Sequence, residues 1–104
     1  MENKIPELTP KERQEALDKA LRARRKRAEA RDDLKSGKLS VADLIETDDE
    51  VLKRMRVSAM LESLPSIGET KTKRIMEECG IAESRRVGGL GKHQKAKLLE
   101  RLAK

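Results

Sequence analysis

The segment Leu64-Pro65-Ser66-Ile67-Gly68, followed by Lys71, Lys73 and Arg74, is the part of the chain best equipped to hold a ligand. Pro65 ends one apolar run, Gly68 sits in the turn, and Ile75 continues a second run beyond it. A helix that begins there leaves its first backbone N–H groups without partners, and its macrodipole favours an anion at that end. Such donors can hold a phosphate oxygen, and backbone donors read no base identity. Lys71, Lys73 and Arg74 fall on the first two turns and add positive charge.

A second turn, Arg85-Arg86-Val87-Gly88-Gly89-Leu90-Gly91-Lys92, follows the same logic. Glycines such as Gly89 and Gly91 admit close backbone approach, and cations surround them. Arg54, Arg56 and Lys95 join these residues in the expected binding set. The run Arg22, Arg24, Arg25, Lys26 and Arg27 admits two readings, a second contact or a solvated helix face. His93 has no Cys or carboxylate at metal-like spacing, and Cys79 continues an apolar face as a buried, inert thiol. Asp48-Asp49-Glu50 fits a helix start better than a metal cluster. No catalytic group, metal or cofactor is expected.

The elements that must position these turns are helices. Thr9-Pro10-Lys11-Glu12 combines an N-cap, a proline at the first helical position and a capping box. No Gly or Pro follows until Gly37, so the pattern predicts a helix to Ser36, roughly 40 Å long at ~1.5 Å per residue. Its apolar side is thin: Ala16, Leu17, Ala20, Leu21, Ala23, Ala28, Ala30 and Leu34. Such a helix should lie along a compact body and project beyond it. Ser40 caps a short helix through Val41, Leu44 and Ile45, and Asp48 or Asp49 begins a turn carrying Val51, Leu52 and Met55. Three further stripes then share the spacing of one buried helical face: Val57, Met60, Leu61, Leu64; Thr72, Ile75, Met76, Cys79; and Lys95, Leu98, Leu99, Leu102. No run alternates over a strand's length. The fold class is all-α, with a flexible arm over 1–8, the long helix and short connectors over 9–56, and a two-turn module over 57–104.

Composition agrees. The chain has 104 residues, enough for one domain, and no Phe, Trp or Tyr, so thirteen Leu and five Ile must supply most of the core. Net charge is +6, but residues 51–104 carry thirteen Lys or Arg against six Asp or Glu, while residues 1–50 carry twelve against thirteen. A basic half of this kind points to a polyanionic partner. No segment approaches the ~18–20 apolar residues of a membrane span. The N-terminus lacks an apolar signal core, and a single cysteine suits a reducing compartment, so a cytoplasmic location is expected.

The Leu-Pro-x-Ile-Gly turn resembles a helix–hairpin–helix element, with Ser66 in place of the usual first glycine, so positive φ there would be strained. Two such turns around one helix resemble a helix–two-turns–helix module, covering about residues 57–102. The stretches Met55-Arg56-Val57-Ser58-Ala59-Met60-Leu61-Glu62-Ser63-Leu64-Pro65 and Glu83-Ser84-Arg85-Arg86-Val87-Gly88-Gly89-Leu90-Gly91, with a long charged helix before them, are similar to actinobacterial integration host factor. That resemblance implies an all-α nucleoid-associated protein that binds duplex DNA with little sequence preference. It places Pro65, Ile67, Gly68, Lys71 and Lys73 at the phosphate contact and Arg85 and Arg86 at the groove edge. It also implies a second contact on the long helix, over Arg22 to Arg27.

Three alternatives compete with this reading. An RNA-binding or ribosome-associated protein uses the same module but follows it with a basic tail that this chain lacks, which favours DNA. A repair enzyme would need a pocket for a flipped base and aromatics to stack it, and there are none. A membrane-surface role lacks the bulky apolar face it requires. The expected partner is double-stranded DNA, with no small-molecule substrate, and the absence of a heptad seam suggests a monomer.

Overall fold

The computed structural model describes residues 9–103; the expected arm over 1–8 lies outside them. Helix α1 runs Pro10–Ser36, α2 Val41–Ile45, α3 Glu50–Lys53, α4 Val57–Glu62, α5 Glu69–Glu78 and α6 Lys92–Leu102, with a 3-10 turn over Val87–Gly89. The fold is all-α.

The caps read from the sequence set the boundaries. Thr9 Oγ1 accepts the Glu12 N–H at 3.1 Å, and Glu12 Oε1 accepts the Thr9 N–H at 3.4 Å. Gly37 closes α1 at φ 86°, in the left-handed region that glycine enters without a Cβ clash. Ser40 caps α2, and Asp49 caps α3 by accepting the N–H groups of Val51 and Leu52 at 2.8 and 3.3 Å. Asp48-Asp49-Glu50 is thus a helix start.

One apolar cluster runs from Ala30 and Leu34 at the end of α1 to Leu98 on α6. Val57, Met60, Leu61, Ile75, Val87 and Leu98 are fully enclosed within it. Each aliphatic side chain so buried contributes about 1.5–3 kcal/mol, which lets a core without aromatics hold together. The stripe on α6 is thinner than its spacing suggested, since Leu99 is 36% exposed. So is that on α1: only Ala30 and Leu34 are buried, whereas Leu17 and Leu21 are 55% and 56% exposed. The first part of α1 therefore projects from the body. The molecule measures 58 × 33 × 25 Å with a radius of gyration of 17.0 Å, against roughly 13 Å for a compact chain of this length.

A short backbone pairing ties the two halves of the module. The Val57 N–H donates to the Arg85 carbonyl at 3.0 Å and the Val87 N–H donates to the Met55 carbonyl at 2.8 Å, forming an antiparallel bridge centred on Arg56 and Arg86. Two chain segments nearly thirty residues apart are thereby locked side by side, each bringing its arginines.

Candidate nucleic-acid interface

The first turn folds as its sequence suggests, and the strain expected at Ser66 is present: Ser66 takes positive φ, at 67°. An L-residue there bears steric strain that glycine would not. Gly68 is extended, at φ −97° and ψ −174°, and serves as the N-cap of α5. It carries no capping side chain, so the first-turn N–H groups of α5 stay without a side-chain acceptor. A Cβ added at Gly68 would meet nothing within 4 Å. Glycine is therefore not demanded here by the fold, and it leaves the approach to those N–H groups open. Pro65, Ser66 and Gly68 are exposed, while Ile67 is half-buried and packs on the core, anchoring the turn.

The cations near this turn are not equivalent. Lys71 and Arg74 are exposed, three residues apart and so on one helix face. Lys73 instead lies 3.7 Å from Glu69, an i,i+4 ion pair. Along the α4–α5 groove, Glu62, Glu69 and Glu83 sit among Arg56, Ser58 and Lys73. Positive potential is thus concentrated at the turn's tip and not along that groove. In the same groove Thr72 is buried with its Oγ1 lacking any hydrogen-bond partner.

A stronger concentration lies on the other side of Arg56. Arg27, Arg31, Arg54, Arg56 and Arg86, with Met55 and Ala59 as the apolar floor, line a cleft of about 670 Å³. No carboxylate lines it, and none of the five arginines pairs with a carboxylate among the described residues. Arg86 is fixed: its Nη1 donates to the Arg54 carbonyl at 2.6 Å. Arg85, the preceding residue, does not line the cleft. Its Nη1 donates to the Gly89 carbonyl at 3.2 Å across the 3-10 turn. Guanidinium forks held in this way match phosphate oxygens in pairs.

The glycines of the second turn separate by role. A Cβ at Gly88 would come within 2.8 Å of Lys53 Cβ, so Gly88 is required for packing against α3. A Cβ at Gly89 would press on Arg85 Cδ at 3.2 Å. Gly91 caps α6, its N–H donating to Gln94 Oε1 at 3.0 Å, while Gln94 Nε2 donates to the Gly80 carbonyl at 2.8 Å. Gln94 thus clamps the second turn to the end of α5. Lys92 is exposed at the first position of α6. Lys95 is half-buried and lies 3.6 Å from Glu46, which turns it toward the end of α2.

The run on α1 divides likewise. Arg27 joins the arginine cleft. Lys26 forms an ion pair with Asp49, whose carboxyl is held below its ordinary value by the hydrogen bond from Lys26 and by the two backbone donors of α3. Arg22 and Lys26 line a neighbouring groove with Ala16, Ala20, Ala23 and Val51. Arg24 and Arg25 are exposed, and Arg25 lies about 160° around the helix from Arg27. Sequence reasoning missed Arg31 and Gln94. Arg31 was accessible to it, since it follows Arg27 by four residues and shares its face. Burial pushes the Cys79 thiol up, as suits an inert core cysteine. Among the described residues no helix is long and apolar enough to cross a membrane.

This arrangement can be set beside known proteins. A family model described as an S13-like H2TH domain matches residues 34–102. Over 96 residues the chain is 49% identical to integration host factor of Streptomyces coelicolor, covering 90% of each protein. The chain belongs to the integration host factor family. The family's member in Mycobacterium tuberculosis is 46% identical over 99 residues, spanning 93% of this chain and 94% of that protein. A solved structure of sIHF bound to an 8-bp palindromic DNA aligns at a TM-score of 0.79 and 46% identity, over 81% of this chain and 97% of that one. The integration host factor likeness thus extends over the long helix as well as the module.

Proposed function

We propose that this integration host factor family member binds double-stranded DNA by its phosphates, with little sequence preference, and acts as an architectural, nucleoid-associated protein. The observation that carries the reading is the carboxylate-free cleft of Arg27, Arg31, Arg54, Arg56 and Arg86 beside the hairpin turn. The chain's likeness to a DNA-bound sIHF supports it. The contact set is the open backbone of Ser66 to Lys71, the side chains of Lys71 and Arg74, the arginines of the cleft, and Arg85 and Lys92 at the second turn. Residues 57–104 form the gripping module, and the end of α1 delivers Arg27 and Arg31 to it. Lys73, Lys95 and Lys26 act mainly through their ion pairs, which hold the scaffold.

Each phosphate neutralised releases condensed cations, so affinity comes from charge and falls steeply with salt. Exposed Pro65 is a rigid apolar tip near the groove edge, placed to press on a base step and bend the duplex. Enhanced closure of short DNA circles is the expected sign of bending, and no enhancement argues against it. The protein works as a monomer in the compartment that holds the chromosome, and its role is architectural: with no aromatic side chain, it lacks the usual platform on which a base-flipping enzyme stacks its target.

The test is competition against a labelled random-sequence duplex. Unrelated DNA duplexes should compete nearly equally and a matched RNA duplex poorly. RNA competing as well as DNA would overturn the reading and favour an RNA-binding role for the same module.

A further inference from the structure

We infer that the arginine cleft is also a site for a compact polyphosphate, a short chain of linked phosphates on a free small molecule, whose binding withdraws the cleft from DNA. The inference rests on the proposed DNA-binding reading and adds a ligand class and a regulation to it.

Shape is the first argument. The five arginines line a concavity of about 670 Å³, within the range of small-molecule sites. Three chain segments converge on it: Arg27 and Arg31 from α1, Arg54 and Arg56 from the segment before α4, and Arg86 from the second turn. Arginines converging from three segments can reach a small polyanion from several sides, whereas a duplex backbone presents phosphates from one side only.

Charge is the second. No carboxylate among the described residues pairs with any of the five. Arg56 and Arg86 stand opposite one another in the backbone bridge, and like charges so placed repel. An anion between them relieves that repulsion. Arg86, pinned to the Arg54 carbonyl, offers its remaining donors already oriented, so little ordering is needed on binding.

Chemistry narrows the ligand. Besides the arginines the lining holds Met55 and Ala59 and no aromatic side chain, and a guanidinium that stacks on a base accepts any base, so the site reads no base identity. Recognition is therefore of the phosphate chain. Inorganic tripolyphosphate and the triphosphate tails of ATP and GTP should bind alike, and monophosphate far more weakly.

The experiment titrates tripolyphosphate, ATP, GTP and inorganic phosphate into the DNA-free protein by calorimetry, with sodium chloride holding ionic strength constant. Saturable 1:1 binding of the three polyphosphates, without base preference, is the expected result. The Arg27→Gln/Arg31→Gln variant should weaken it by about tenfold or more, the loss of a charge-assisted contact. The charge-matched Lys11→Gln/Lys38→Gln variant, exposed and outside the cleft, should not. Arg27→Lys/Arg31→Lys keeps charge and helix but loses the planar forks, and it should fall between. Binding that disappears at matched ionic strength, or that responds equally to both glutamine variants, overturns the inference. If tripolyphosphate fails to bind while the Arg27→Gln/Arg31→Gln variant still loses DNA affinity, this inference falls and the DNA reading stands. If that variant also keeps full DNA affinity, both fall.

Discussion

Arg56 and Arg86 face each other across an antiparallel bridge, flanked by the Val57–Arg85 and Val87–Met55 backbone bonds. These two bonds bracket the pair and do not join it, so this is the narrow pairing in which opposed side chains lie closest. Two cations held there without an acidic partner cost stability of roughly 0.2–1 kcal/mol. A fold tolerates such a cost readily where an anionic partner removes it.

Arg56→Gln should therefore leave the free protein's stability within about 0.5 kcal/mol of the parent, since lost repulsion offsets lost packing. DNA affinity should fall, and the slope of log K against log salt should flatten by about 0.9 if one phosphate contact goes. Thermal unfolding and salt-dependent binding on the same variant check both halves. An unchanged salt slope would place Arg56 outside the contact.

The hairpin turn gives a paired test. Ser66→Gly removes the strain of positive φ and should stabilise by about 0.5–1 kcal/mol net of the added chain entropy. Gly68→Ala has negative φ and open space at its Cβ, so it should fold normally. If phosphate meets the N–H groups at that point, the added methyl should weaken DNA binding without changing the denaturation midpoint. A variant at Gly68 that unfolds instead would contradict the geometry.

Thr72 buries a hydroxyl with no partner. Thr72→Val replaces it with a methyl of similar shape, so stability should rise by about 1 kcal/mol, read as a higher denaturant midpoint. A loss of that size would show that the hydroxyl has a partner in solution.

Asp49 binds Lys26 and caps α3, and its carboxyl titrates below the ordinary value. The unfolded chain therefore takes up this proton at higher pH than the folded one. The stabilisation is complete above the ordinary carboxylate value and is lost as pH falls through the lower, folded value. Asp49→Asn should destabilise the protein at neutral pH and by less at strongly acid pH, where the parent carboxyl is protonated too. A constant difference across pH would show that the charge contributes nothing.

Most of the architecture was legible because local signals agreed: Thr9 to Glu12 at one end of α1 and Gly37 at the other, Ser40, Asp49, Pro65, and the stripes at helical spacing. The first turn's uncapped N–H groups were legible for the same reason. The arginine cleft was not. Arg27, Arg54 and Arg86 are distant in sequence, and two of their segments come together through the 55–57 and 85–87 pairing, which no local pattern announces. Periodicity also cannot say which glycine serves packing, as Gly88 does, or which lysine is engaged by a carboxylate, as Lys95 is by Glu46. Leu17 and Leu21 show the converse limit, a helical apolar spacing that the body of the protein is too small to cover.

The central claim is tested most directly by the affinity for a random-sequence duplex measured at about 50, 100 and 200 mM salt, with a second, unrelated duplex in parallel. The account expects the two duplexes to bind alike and affinity to fall steeply and linearly on logarithmic axes, as several phosphate contacts require. Affinity that barely changes with salt, or that differs by orders of magnitude between the two duplexes, would contradict it.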